Sequence, residues 1–369
     1  MNLVYFSPVP WASFAQRPHK FVEQFHANTG GKVLWIDPYP ARLPTFADFA
    51  RIKVRHNMHN LSENIPSWLT PIYPKAFPIE PLRGFNKTNN LFWSDIFVKI
   101  DKWLQREDTL IGVGKPSDLA CQVLAKYRNR FSFYDAMDDF PEFHQGLSRI
   151  SMARYEQKVL SLVSKVLVSS TALMQRFQKQ YQDVTFVPNA CSPELFPSID
   201  SVFALKKQPF IVGYVGMIYH WFDWGIVFKL AQENPSFLFK LIGPLCEPPP
   251  SQLLTNIELC PPCDHPTAIA SMAEFSVGLI PFKLNQLTDS VDPVKYYEYR
   301  ALNLPVISTA FGEMRSHADN DSRVFLIDDQ ANSAEVLKQA LNTRNSSDEI
   351  NQFRLQNSWE KRFDVSGIW

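Results

Sequence analysis

Short apolar runs alternate with stretches of helical spacing along most of the chain. Leu3-Val4-Tyr5-Phe6 ends at Ser7-Pro8, Phe21, Val22 and Phe25 fall on one helical face between Arg17 and Ala27, and Val33-Leu34-Trp35-Ile36 follows. Runs without polar alternation suit strands buried on both faces, the condition of a parallel sheet covered by helices. Residues 38 to 90 are rich in proline and weakly periodic, and read as long loops with short strands. The rhythm then resumes. Helices are expected at 92–104, 117–127, 153–162 and 171–181, with strands at 109–113, 131–134, 166–168 and 184–187.

A polar, proline-containing stretch from Pro188 to Pro209 reads as a linker, after which the same alternation restarts. Strands are expected at 210–215, 237–242, 257–259, 275–280, 306–308 and 324–327, with helices at 222–232, 267–273 and 294–302. The fold class is therefore α/β, with two Rossmann-like domains built on parallel sheets, one over 1–195 and one over 205–345.

Composition narrows this only slightly. A chain of 369 residues, 45% apolar and 20% charged, has the make-up of a globular protein with room for two cores. Lys+Arg and Asp+Glu stand at 37 each, which gives no electrostatic case for nucleic acid as a partner. Apolar runs fall short of a membrane span, and MNLVYFSPVP lacks the basic and long apolar regions of a signal peptide, so a cytoplasmic location is expected. The five cysteines include Cys260-Pro-Pro-Cys263, which has the spacing of a metal or redox half-site but no second pair and only His265 nearby; neither metal nor cofactor is expected.

Ligands in open parallel sheets bind beyond the carboxyl ends of strands, so polar residues there carry the candidate chemistry. Gly213-Tyr214-Val215-Gly216 closes the first strand of the second half, and Gly243-Pro244 closes the next. Glycines there allow close backbone approach, and the amides of the following helix favour an anion; plain turn chemistry is the alternative. In DPVKYYEYRALNLPVIST, Asp292 is the expected N-cap and Pro293 opens the helix, which puts Lys295 and Glu298 one turn apart on one face. An ammonium near a helix N-terminus is misplaced unless an anion joins it, which a diphosphate would do, and a carboxylate a turn deeper can accept both hydroxyls of a ribose. A solvated Lys/Glu pair is the bland account.

In the first half, FYDAMDDF places Asp135, Asp138 and Asp139 at a strand end. Neighbouring carboxylates raise one another's pKa, which suits a group that takes a proton from a hydroxyl; caps and turns use aspartate too. Gln16-Arg17-Pro18-His19 sits at the first strand's exit, where Arg17 could meet an acceptor phosphate or sugar or anchor the helix, and His19 is expected to pack or cap rather than catalyse. Trp11, Phe14, Trp221 and Trp224 could stack on sugars.

Taken together, VGYVGMIYHWFDWG and IPFKLNQLTDSVDPVKYYEYRALNLPVIST resemble the donor-binding half of GT-B glycosyltransferases. YDAMDDF and QRPHKF resemble the acceptor half of bacterial polysaccharide-synthesis members, and VPNACSPELF and SWEKRF extend the likeness over most of the chain. The resemblance implies sugar transfer from a nucleotide diphosphate donor, UDP being the commonest, to a hydroxyl of a saccharide or lipid-linked saccharide without a bound metal. It also implies a C-terminal helix, about 350–369, that crosses back to the first domain, and peripheral association with the inner membrane face.

Many retaining members carry two glutamates with seven residues between them. Glu298 is similar to the second, while Ser290 stands at the first. Tyr219, His220 and Trp221 replace the usual basic residues of the first donor loop, so Lys295 is expected to hold the diphosphate, as in the inverting xanthan glucuronosyltransferase that the chain resembles in outline. Gly216, Gly243 and Tyr219 complete the expected donor site. If transfer inverts, Asp138, then Asp139, is the expected base; if it retains, the same acids orient acceptor or donor. Arg17, His19 and Asp135 are the expected acceptor contacts. A nucleotide-sugar 2-epimerase, using His220 and His265, and a non-catalytic nucleotide-sugar-binding subunit are the alternatives.

Overall fold

The computed structural model describes residues 1–41, 43, 65–82, 86–202, 209–343 and 345–369. The chain divides into two compact units. Unit 1 comprises Met1–Ser169, Leu173–Val187 and Ser366–Trp369, and unit 2 comprises Ser170–Ala172 and Pro188–Val365.

Unit 1 holds seven strands: β1 (Asn2–Phe6), β2 (Val33–Ile36), β3 (Leu69–Ile72), β4 (Thr109–Val113), β5 (Ser132–Ala136), β6 (Lys165–Val168) and β7 (Val184–Phe186), in the order β3-β2-β1-β4-β5-β6-β7. Every pairing is parallel, with Leu3 opposite both Val33 and Leu110. Its helices are α1 (Arg17–Thr29), α2 (Asn90–Leu104), α3 (Asp118–Lys126), α4 (Gly146–Leu160) and, from Leu173 on, α5 (Thr171–Gln178).

The uninterrupted apolar runs are explained by two-sided burial. Val4, Phe6, Ile111, Val113 and Tyr134 face a core built with α2 to α5. Tyr5 and Phe133 point to the other face, where Phe21 of α1 packs against both at 5.9 and 5.2 Å. Helix α4 begins well before the expected residue 153, because its first turn exposes Leu147 and Ile150 and so shows no buried stripe to a periodicity count.

Unit 2 repeats the plan with β8 (Ile211–Val215), β9 (Leu238–Ile242), β10 (Ile257–Cys260), β11 (Val277–Ile280), β12 (Val306–Ser308) and β13 (Val324–Leu326), ordered β10-β9-β8-β11-β12-β13. Its principal helices are α6 (Trp224–Glu233), α7 (His265–Ala273), α8 (Val294–Ala301), α9 (Met314–Asn320), α10 (Ser333–Leu341), α11 (Ser347–Gln356) and α12 (Trp359–Asp364). In both sheets the strand order reverses beside the first strand, which sets a crevice at the carboxyl ends there.

The chain leaves unit 1 at Val187, ahead of the polar stretch that suggests a linker. The helix expected at 350–369 is α11 and α12, split at Asn357-Ser358; both stay in unit 2, and only Ser366–Trp369 rejoin unit 1. Among the described residues no helix is long and apolar enough to cross a membrane.

Candidate functional site

The carboxyl edge of the unit 2 sheet concentrates unusual backbone. Gly216, just past β8, has φ of 146°, and Gly243, just past β9, has φ of 144°. L side chains avoid that region. There is no space for one either: a Cβ on Gly243 would collide with the Gly216 carbonyl, and one on Gly216 would come within 2.8 Å of Lys295 Nζ. The two glycines thus let adjacent strand ends touch and open a seat for a lysine.

Lys295 fills that seat from the first turn of α8. Its ammonium lies 5.3 Å from the centre of the Tyr214 ring and 5.7 Å from that of Phe282. Among the described residues it has no hydrogen-bond or salt-bridge partner, and burial pulls its pKa below the ordinary lysine value, with Glu298 opposing the shift. A cation held by two ring faces at a helix N-terminus, with no acid bound to it, is an arrangement that an anion completes.

Asp292 does not cap α8, contrary to expectation. Pro293 takes the cap position with no side-chain bond, and the helix begins at Val294. The Asp292 carboxylate instead accepts from the Asn189 backbone N–H at 2.7 Å and from the Tyr297 hydroxyl at 2.9 Å, and pairs with His317 Nε2 at 3.1 Å. Occupied by those partners, it leaves the positive end of α8 to Lys295. The first turn of α6, expected to favour an anion, is capped by Asp223, whose side chain accepts from Ile226 N–H at 3.2 Å.

Glu298 stands one turn below Lys295, and its Oε1 lies 2.8 Å from His265 Nε2 at the start of α7. Beside Gly243 a cavity of about 250 Å³ is lined by Ile218, Leu241, Leu245, Leu259, Cys260 and Pro261. The Tyr219 ring packs edge-on against His220 and Trp221, and that loop is tied down where Lys283 N–H donates to the Trp221 carbonyl at 2.7 Å. Trp221 and Trp224 are half-buried against the core. Cys260 Sγ donates to Glu258 at 3.4 Å, and burial raises the pKa of both Cys260 and Cys263 above the ordinary thiol value.

At the carboxyl edge of the unit 1 sheet the three aspartates part company. Asp135, on β5, is fully buried and receives Arg17 Nη2 at 2.8 Å and Nε at 3.1 Å, while Arg17 Nη1 donates to the Val187 carbonyl at 2.7 Å. Arg17 and Asp135 therefore clamp the start of α1 onto β5. Asp139 is ion-paired with Arg176 Nη1 at 2.6 Å, and the same guanidinium also holds buried Glu156.

Only Asp138 has a carboxylate with no hydrogen bond or ion pair among the described residues. Burial pushes it up to about 7; Asp135 and Asp139 add to the rise, and Arg17 works against it. A carboxyl poised near neutrality is suited to accept a proton.

His19 is a buried cap. Its Nδ1 accepts from Gln16 N–H at 3.2 Å, which puts the proton on Nε2, 3.2 Å from the Trp11 carbonyl. The ring packs in a triangle with Trp11 and Trp35, with centroids 5.1 and 5.0 Å away, and burial holds its pKa down at about 4. One face of Trp11 is thereby used internally, while Phe14 is 58% exposed.

No family model and no curated protein matches the sequence. Solved structures do. Sucrose-phosphate synthase from Thermosynechococcus elongatus superposes with a TM-score of 0.64 at 14% identity, covering 100% of this chain and 98% of its own. A trehalose-6-phosphate structure from E. coli, bound with UDP-2-fluoro glucose, gives 0.61 at 13% with 100% of both chains covered. AviGT4, a glycosyltransferase involved in avilamycin A biosynthesis, gives 0.56 at 11%, covering 100% of this chain and 99% of its own. The fold is GT-B.

Within this GT-B chain the structure brings Gly216, Gly243 and Lys295 together at one strand edge, with Glu298 a turn away. It joins Arg17 to Asp135 and pairs Asp139 with Arg176, an arginine that no sequence motif singles out. In the sequence His265, 33 residues from Glu298, stands out only as a neighbour of the cysteines and a candidate for epimerase chemistry. Its link to Glu298 depends on how α7 and α8 are hung on the sheet, which spacing does not encode.

Proposed function

We propose that the protein is a metal-independent glycosyltransferase that moves a sugar from a nucleoside diphosphate donor, a UDP-sugar, to a hydroxyl of a saccharide or lipid-linked saccharide in surface polysaccharide synthesis. Unit 2 takes the donor. Lys295 meets the diphosphate above the Gly216 and Gly243 strand ends, Glu298 the ribose, and the adjoining apolar cavity the base. The observation that carries this is the unpaired Lys295 ammonium between the Tyr214 and Phe282 rings. The UDP-2-fluoro glucose bound in the E. coli structure supports the choice of donor.

Unit 1 activates the acceptor. The Asp138 carboxylate takes the acceptor's hydroxyl proton, and the acceptor oxygen bonds to the anomeric carbon. The bond from that carbon to the β-phosphate oxygen breaks, and its electron pair leaves on the diphosphate. Lys295 stabilises that developing charge electrostatically, in the role a divalent cation would otherwise fill. Ser290 in place of a glutamate favours inversion of the anomeric centre. Arg17, Asp135 and His19 are engaged with internal partners and support the fold beside Asp138.

Such an enzyme works in the cytoplasm, peripherally at the inner membrane if its acceptor is lipid-linked. The test is to incubate the purified protein with UDP-, GDP-, ADP- and dTDP-sugars and a panel of saccharide and lipid-linked acceptors, with and without a chelator, and to read product linkage by NMR. A new glycoside of opposite anomeric configuration that forms in chelator supports the assignment. An epimerised donor, or nucleotide binding without turnover, overturns it.

A further inference from the structure

We infer that His265 is a positioning residue that locks Glu298 for recognition of the donor's ribose and so sets discrimination between ribonucleotide and 2′-deoxyribonucleotide donors. This rests on the donor site proposed above.

Three observations carry it. His265 Nε2 lies 2.8 Å from Glu298 Oε1, close enough for an imidazole N–H to donate to the carboxylate. Both side chains are partly buried, at 26% and 13% exposure, so neither is a freely mobile surface group. His265 is also fixed at its base: it opens α7, followed by Pro266, and Asp264 caps that helix by accepting from Thr267 N–H at 2.9 Å.

The segment leading to His265 forms part of the wall of the cavity beside Gly243, through Cys260, Pro261 and Pro262. His265 thus ties the wall of the base cavity to the helix that carries both Lys295 and Glu298. With Oε1 anchored, the carboxylate cannot rotate freely, and Oε2 and the second lone pair of Oε1 stay directed at one place. Two vicinal hydroxyls are read well by a carboxylate held in that way, because a fixed acceptor left unpaired penalises a ligand that lacks one hydroxyl. An unanchored carboxylate would turn to water and lose that penalty.

The test measures binding of UDP and 2′-deoxy-UDP by calorimetry to wild type, His265→Ala and His265→Gln. Wild type should prefer UDP. His265→Ala should bind UDP about tenfold more weakly and lose most of the preference over the deoxy analogue. His265→Gln, which can still place an N–H near Glu298, should restore both. In turnover, the alanine variant should raise KM for the donor and leave kcat nearly unchanged.

Full discrimination retained in His265→Ala overturns the role of His265 and leaves the donor site standing. Tighter UDP binding in that variant also overturns it, by showing that His265 blocks Glu298. Wild type that binds no nucleoside diphosphate removes the donor site itself, and the inference with it.

Discussion

Arg176 holds Asp139 at 2.6 Å, and the adjacent Asp138 has no such counter-charge. Two acids that look interchangeable in the sequence are therefore chemically distinct. One is ion-paired with an arginine, and the other is raised to about 7 by burial and by its acidic neighbours, against the opposing charge of Arg17.

Asp138→Asn should lower transfer by about 10²- to 10⁴-fold, the range for losing a positioned base, in steady-state assays with the productive sugar donor. Wild-type rate should fall as pH drops below about 7, since the base must be ionised. Stability should respond in the opposite sense. The folded-state pKa lies above the ordinary 3.8, so the stability linked to this group is present at low pH and is lost as pH rises from about 4 to about 7. At pH 8 the asparagine variant should thus melt no lower than wild type, and higher if burial of the charge dominates. A large loss of Tm together with the loss of activity would show a merely structural role.

Lys295→Ala should abolish the thermal stabilisation that UDP or a UDP-sugar gives to wild type. At ligand a hundredfold above Kd that stabilisation is about 2.7 kcal/mol. The unliganded variant should be at least as stable as wild type, because an ammonium that burial disfavours has been removed.

Arg17 and Asp135 should behave as structure. Either Arg17→Ala or Asp135→Ala leaves an uncompensated charge in a buried place and should cost about 3–5 kcal/mol in denaturant unfolding. The pair Arg17→Met with Asp135→Leu should recover much of that. A variant at Asp135 that unfolds normally and loses only acceptor affinity would restore it to the binding site.

His19 gives the fold a weakness in acid. Its pKa is held at about 4 against an ordinary 6.5, so its neutral form contributes stability that is complete above 6.5 and declines as pH falls from there toward 4. His19→Gln, with an amide oxygen that can accept from Gln16 N–H, should flatten the loss of stability of unit 1 across that interval, as read by thermal melts at stepped pH.

Gly243→Ala should be more damaging than its size suggests. It forces an L residue to φ of 144° and drives a methyl into the Gly216 carbonyl. Nucleotide binding should fall along with Tm.

The two sheets were legible in the sequence because parallel strands must be apolar on both faces, and Leu3 to Phe6 or Leu238 to Ile242 can hardly be anything else. Helices α9 and α10 were not, since α10 buries only Ser333, Leu337 and Ala340, and such a thin stripe leaves little period to detect. Lys295 could be found because its position in a first turn conflicts with the helix dipole. Glu298 with His265, Asp139 with Arg176 and Arg17 with Asp135 could not be told apart from solvent-facing charges, because each partnership is made by strand order across 33 to 118 residues.

Trp369 packs on Phe21 and Phe25 of α1, with centroids 5.6 and 6.3 Å away. Phe21 and Trp369 lie almost a whole chain apart in the sequence, so at roughly 5–20 residues per second Phe21 and Phe25 wait tens of seconds for this ring. Removing the Trp369 ring should leave that face of α1 permanently uncovered and make unit 1 more prone to aggregate during refolding.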